Sequence, residues 1–271
     1  MKENKIKIKL GIIGYLPFGL NRKKIKNFKS DIFEIVGEID DYHFNSDSDT
    51  EFWGYSDNKL NTELPNNCEA DFFIGITYVP IENNYYARRL EKNRIVLSFY
   101  EMYQILTEGH VPLENLIYRV LYAYSLVYLR QNNSIPPQRE FLGFTHDDTR
   151  GCLFDMNGNK TDVLFSLDRP KICDDCTNRL RQEKVADNKI SKIKNEIKKI
   201  KKRRFYKISD FVKEKPLLSI SISLIVGVLV SLTANVVFET SVKDVIKKDI
   251  ETTQTKIDSL KINNLETDTI K

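Results

Sequence analysis

The sequence predicts an α/β domain on the cytosolic side of a membrane, stapled near its C-terminal end by a metal and followed by one transmembrane helix. Three observations carry this. Short β-branched runs alternate with helix-compatible stretches as far as about residue 180; an uncharged run lies at 217–238; and three of the four cysteines gather with a histidine between residues 146 and 176. Of the 271 residues, 41% are hydrophobic and 30% charged, a balance that supports a folded core.

The run "IKIKLGIIGY" at 6–15 alternates and then turns wholly apolar, so it reads as a strand, closed by Gly14, Pro17 and Gly19. The basic stretch "NRKKIKNFKSDIFEIVGEI" at 21–39 follows as a helix. Residues 43–69 are polar and irregular, which predicts a loop or a weak hairpin. A second strand is expected in "ADFFIGITYVP", stopped by Pro80, and a third in "RIVLSFYEMYQIL", which passes into a helix. From Pro112 to Arg130 the spacing of Leu116, Val120, Leu121, Tyr124 and Val127 predicts an amphipathic helix, ended by "NNSIPPQ". Strands alternating with helices make an α/β domain over residues 1–184.

Beyond residue 184 the character changes. Residues 185–215 hold twelve Lys or Arg against four acids, a local +8 in a chain of net charge +4, so the remainder sums to −4. Positive charge confined to one segment argues against a nucleic-acid-binding domain, whose cations lie on the folded surface that grips phosphates. Ile190, Ile193, Ile197 and Ile200 recur at spacings of three and four. That stripe suits a short coiled coil, an amphipathic helix on anionic lipid, or a solvated helix. Leu217–Phe238 follows without a charge; as a helix its 22 residues extend roughly 33 Å, the thickness of bilayer hydrocarbon.

Nine basic residues lie between Lys198 and Lys215, against four between Glu239 and Lys256. Basic residues near a span favour the cytoplasmic side, which makes this a single-pass cell-membrane protein with its N-terminal domain in the cytoplasm and residues 239–271 as an extracytoplasmic tail. Within the span Ser223, Gly227 and Ser231 recur every four residues, a small-residue seam that lets helices approach closely in lipid. Ile246, Ile250, Ile257 and Leu260 continue at heptad-like spacing. Together these favour a homo-oligomer. The expected partners are the lipid bilayer, a second copy of the chain, and a cytosolic ligand or protein that the sequence does not name.

Cysteines facing a reducing compartment are better explained as thiols or metal ligands than as disulfides. His146, Cys152, Cys173 and Cys176 have the spacing H-x5-C-x20-C-x2-C, a close pair with two more distant donors, as in structural Zn²⁺ sites. Four donors close a tetrahedron and leave no position for water or substrate. Such a zinc holds the fold and does no chemistry.

"GCLFDM" at 151–156 and "ICDDCTNRL" at 172–180 resemble the C-terminal segment of the archaemetzincin-like zincins, and "DFFIGITYVPIENNYYARRLEKNRIVLSFYEMY" looks like that family's two strands ending in Thr and Ser. The resemblance implies a zincin-like α+β fold over about residues 5–180, with Cys152, Cys173 and Cys176 matching three structural zinc ligands and His146 near the fourth. The departure is as informative. Metzincin proteases need H-E-x-x-H on a helix, and the matching stretch here, "LENLIYRVLYAYSLVYLR", has no histidine. The chain's three histidines, His43, His110 and His146, cannot build both sites. The resemblance therefore implies a pseudoenzyme, a protease-like scaffold without its catalytic metal.

Other chemistry finds less support. "GIIGYLPFG" lacks the phosphate-binding glycine patterns. Asp147, Asp148, Arg150 and Asp155 form a candidate hydrolase cluster, although such a group as readily solvates a loop or orients a metal ligand. Cys68 has no histidine beside it in sequence. An oligomer whose polar span forms a pore is the remaining alternative to a binding or sensing module.

Overall fold

The computed structural model of the chain describes residues 4–66, 69–140, 145–146 and 149–267. By internal contacts it divides into a compact unit, Met1–Tyr206, and a second, Lys207–Lys271.

The first unit is built on a sheet in the order β2-β1-β4-β6-β5, with β3 also pairing β1. Strand β1 (Ile6–Ile13) lies parallel to β2 (Phe33–Ile35), β3 (Asp40–Tyr42) and β4 (Phe72–Thr77); β4 lies parallel to β6 (Arg94–Ser98); β5 (Ala87–Leu90) alone runs antiparallel. All six residues of β4 and all five of β6 are buried, as strands covered on both faces must be. The period of two divides them. Ile8, Leu10, Ile12, Phe72, Ile74 and Ile76 join the larger core, which contains the helix α4 (Leu113–Arg130), while Ile13, Phe73 and Val96 face the smaller one with Leu60 of α2 (Asp57–Glu63). Gly11 sits where a Cβ would come within 2.5 Å of the Tyr42 ring, so the strand needs glycine there.

Three expectations change. The helix expected over 21–39 is confined to α1 (Arg22–Lys26), because the hydroxyl of Ser30 accepts the N–H of Ile32 (3.0 Å), turning the chain so that Phe33–Ile35 pairs with β1. The polar stretch 43–69 contains α2, capped by Ser56, whose hydroxyl accepts from Lys59 N at 3.2 Å. Helix α4 is not amphipathic in use: fifteen of its eighteen residues are buried, so it is a central helix and not a surface one.

Asp57 of α2 and Arg88 of β5 form a buried ion pair, with side chains 6% and 7% exposed. Asp57→Ala would leave the guanidinium with Glu82 as its carboxylate partner, at 3.7 Å, and a loss of about 3 kcal/mol in urea unfolding, the low end for a broken buried pair, is expected. A loss under about 1 kcal/mol would mean that the pair is solvated in solution.

The compact unit also runs beyond residue 184. Helix α5 (Asp174–Gln182) is followed by α6 (Asp187–Glu196) and a turn of 3-10 helix, Ile197–Lys199. Ile190, Ile193, Ile197 and Ile200 are buried in the larger core, so their stripe serves the domain and not a coiled coil or a lipid surface. Glu196 between them accepts hydrogen bonds from Ser30 Oγ (2.6 Å), Asp31 N (2.7 Å) and Tyr122 OH (2.7 Å), joining α6 to α4 and the start of β2.

Helix α7 (Arg204–Glu214) leads to α8 (Pro216–Val237), which passes through a π turn, Phe238–Val242, into α9 (Lys243–Thr267). Residues Pro216–Thr240 form one helix long and apolar enough to cross a membrane, with mean hydropathy 2.4 and none of it buried. Four of its hydroxyls are satisfied by backbone carbonyls one turn back: Ser219 donates to Lys215 O (2.9 Å), Ser221 to Leu217 O (3.0 Å), Thr233 to Val230 O (2.9 Å) and Thr240 to Val236 O (2.8 Å). This back-bonding lowers the cost of carrying them into lipid. Ser223, Gly227 and Ser231 lie exposed along the same helix.

Candidate metal centre

Backbone hydrogen bonds assemble the cluster. Cys152 N donates to Thr149 O (2.9 Å), closing a turn through Gly151 at φ +85°, where a Cβ would meet Phe165 O at 3.2 Å. The chain then folds back: His146 N donates to Phe154 O (2.9 Å) and Met156 N to His146 O (3.0 Å). Leu153 N to Lys171 O (2.9 Å) and Lys171 N to Gly151 O (2.8 Å) lay Cys152 beside Lys171, two residues ahead of Cys173. Cys173 caps α5, its Sγ accepting from Cys176 N at 3.4 Å, and this turn brings Cys176 to the same point.

His146, Cys152, Cys173 and Cys176 thus offer one donor atom each, all within 4.8 Å of one another. His146 Nε2 is 3.4 Å from Cys152 Sγ and 3.5 Å from Cys173 Sγ; Cys152 and Cys176 are 3.9 Å apart at sulfur. A tetrahedron with Zn–S near 2.3 Å and Zn–N near 2.05 Å has S···S edges of about 3.8 Å and S···N edges of about 3.6 Å. The residues fit one ion of that size and preference. Soft thiolates with imidazole exclude calcium or magnesium, which take oxygen ligands.

The thiols press toward the same conclusion. Cys152 is held far below an ordinary thiol, first by the hydrogen bond from Cys176, with the amides of Cys173 and Phe154 and the His146 ring adding to it against burial. That same bond, with burial, pushes Cys176 up. One thiolate forms readily and opposes the next. A divalent cation at the centre removes the opposition and lets all three ionise.

The cluster is tied to the central helix by Arg119, a buried charge flanked by Tyr118 and Val120. Its guanidinium donates to Leu153 O (3.1 Å), Ser166 Oγ (2.6 Å) and Tyr86 OH (2.8 Å). Asn115 Nδ2 adds a bond to Leu167 O at 2.9 Å. Neither residue stood out by spacing. A cation and an amide inside a helix this buried were the available signal.

The proposed hydrolase cluster is not assembled among the described residues. Asp147 and Asp148 lie outside them, as does Cys68. Arg150 is 68% exposed, 4.0 Å from Asp162 and stacked over Phe165, whereas Asp155 is buried and accepts from Asn157 N at 3.5 Å. His110 stacks on Tyr206, ring centres 4.5 Å apart. Helix α4 offers nitrogen and oxygen donors to its neighbours but no imidazole or thiolate.

A mixed sheet with a four-donor His/Cys cluster and a separate apolar helix defines the molecule. No family model matches the chain, and no curated protein does. Among solved structures, an archaemetzincin from Methanopyrus kandleri is similar over 66% of this chain and 95% of its own, with a TM-score of 0.41 and 13% identity. That is a distant likeness, and no activity or ligand is carried over from it.

Proposed function

We propose that this chain is a membrane-anchored, non-catalytic module in which a structural Zn²⁺, held by His146, Cys152, Cys173 and Cys176, fixes a cytosolic domain that binds or senses a partner. The closed donor set carries the reading, since a metal with four protein ligands has no position left for a substrate. Helix α4 supports it: where a metalloprotease needs paired histidines on an accessible face, it has buried tyrosines, arginines and aliphatics. The basic excess before the apolar helix supports a cytoplasmic N-terminal domain.

Two measurements on the full chain test it. It should sediment with membranes after alkaline carbonate extraction, and the detergent-purified protein should contain one zinc per chain. Recovery in the carbonate supernatant ends the membrane part of the reading, and two metals per chain would restore the case for an enzyme.

A further inference from the structure

Away from the metal centre, one side of the compact unit surrounds a cavity of about 550 Å³ with positive charge. Lys24 and Lys29 line it from the α1 side, and Lys199 with the unbroken run Lys201 to Arg204 lines the other. Its apolar floor is the stacked pair Phe28 and Tyr118, ring centres 4.0 Å apart. Among the described residues no carboxylate lines it. Lys24 is partly offset by Glu114 at 3.2 Å, but Lys29, Lys201, Arg203 and Arg204 have no ion-pair partner among the described residues.

This is a held arrangement. Ile200 is buried, Arg169 N donates to its carbonyl (2.6 Å), and Lys202 N donates to Asp168 Oδ1 (3.1 Å), so the backbone beneath the basic run is pinned to the domain. Like charges fixed around a cavity repel one another, and an anion inside relieves the repulsion. Guanidinium and ammonium groups converging from two walls suit phosphate oxygens.

Position selects among phosphates. Eleven residues lie between Arg204 and Pro216, where the apolar helix begins, and that length of chain reaches at most roughly 40 Å even when extended. The chain therefore keeps the cavity within that reach of the leaflet from which the span starts, where anionic headgroups are concentrated if that side is cytoplasmic.

We propose that this cavity is a phosphate site filled by the headgroup of an anionic lipid in that leaflet, so that lipid composition is what the anchored domain reads. The proposal rests on the membrane-anchored reading above. Its test uses the full chain in neutral detergent, titrated calorimetrically with dihexanoyl phosphatidic acid, dihexanoyl phosphatidylcholine and inorganic pyrophosphate. Phosphatidic acid should bind saturably and phosphatidylcholine should not. The triple change Lys29→Ala, Lys201→Ala, Arg203→Ala should weaken binding on the order of a hundredfold, from the loss of three near contacts. A charge-matched triple outside the cavity, Lys198→Ala, Lys213→Ala, Lys215→Ala, should change it by less than about threefold. All six positions are exposed, and circular dichroism confirms that both variants stay folded. Equal losses in the two triples, or preference for a single-stranded oligonucleotide, would overturn the site. Tighter binding of pyrophosphate, lost in the first triple only, would overturn the lipid source. Carbonate extraction scores the anchor separately, so a soluble chain removes the membrane reading while the pyrophosphate arm still judges the cavity.

Discussion

A chain cut after residue 184 is expected to lose cooperative folding, whereas one cut after Tyr206 keeps it. The shorter cut falls where composition changes in the sequence, but it removes Ile190, Ile193, Ile197 and Ile200, exposed by 2%, 0%, 0% and 0%. Emptying one such site costs about 2–5 kcal/mol, so four together amount to roughly 8–20 kcal/mol, against a total stability of about 5–15 kcal/mol for a typical domain. Glu196 leaves as well, and the buried hydroxyls of Ser30 and Tyr122 lose their shared acceptor. Within the intact chain, Glu196→Ala isolates that second contribution at about 1.5–3 kcal/mol, the range for hydrogen bonds to a charged group. Urea unfolding followed by circular dichroism decides the matter. Equal midpoints for the two truncations would show that α6 is not part of the folding unit.

What was legible in the sequence was whatever depends on neighbours along the chain. Strands β1, β4 and β6 announced themselves because β-branched and aromatic runs bounded by Gly and Pro have few other uses. The metal set was legible because ligand spacing reports chemistry directly: a C-x-x-C turn places two sulfurs on one point whatever the surrounding fold. What failed needed information from across the molecule. The run 21–39 has helical composition, yet Phe33–Ile35 is claimed by β1, and no local pattern says so. The isoleucine stripe of 190–200 states that one face is apolar without saying what covers it. Counting the nine cations of 198–215 likewise did not show that five of them, Lys199 and Lys201 to Arg204, line a cavity of the domain, and Arg150, the favoured functional arginine, pairs outward with Asp162.

Removing the metal is expected to have the second large effect, and its size follows from where the ligands sit. Cys152 and Cys176 are 0% and 2% exposed, and the loop that carries Cys152 is bonded through Leu153 O to Arg119 at the centre of the domain. Without a cation the cluster holds buried thiols whose ionisation is mutually opposed. With one, metal binding adds directly to folding free energy, by about 10–16 kcal/mol in zinc-finger peptides, which have no other core. This domain has a large core of its own, so a smaller share should be lost. Cys173→Ser is expected to abolish stoichiometric zinc and to cost upwards of about 5 kcal/mol, roughly 10–20 °C in Tm for a domain of this size. His146→Ala, which keeps three thiolates, should cost less than Cys173→Ser. Arg150→Ala, at an exposed position beside the same loop, should stay within about 0.5 kcal/mol. The discriminating measurement is elemental analysis paired with thermal unfolding. A well-folded, metal-free protein whose Tm does not move in Cys173→Ser would mean that the four donors are only neighbours in the core, and that the domain stands on its sheet and central helix alone.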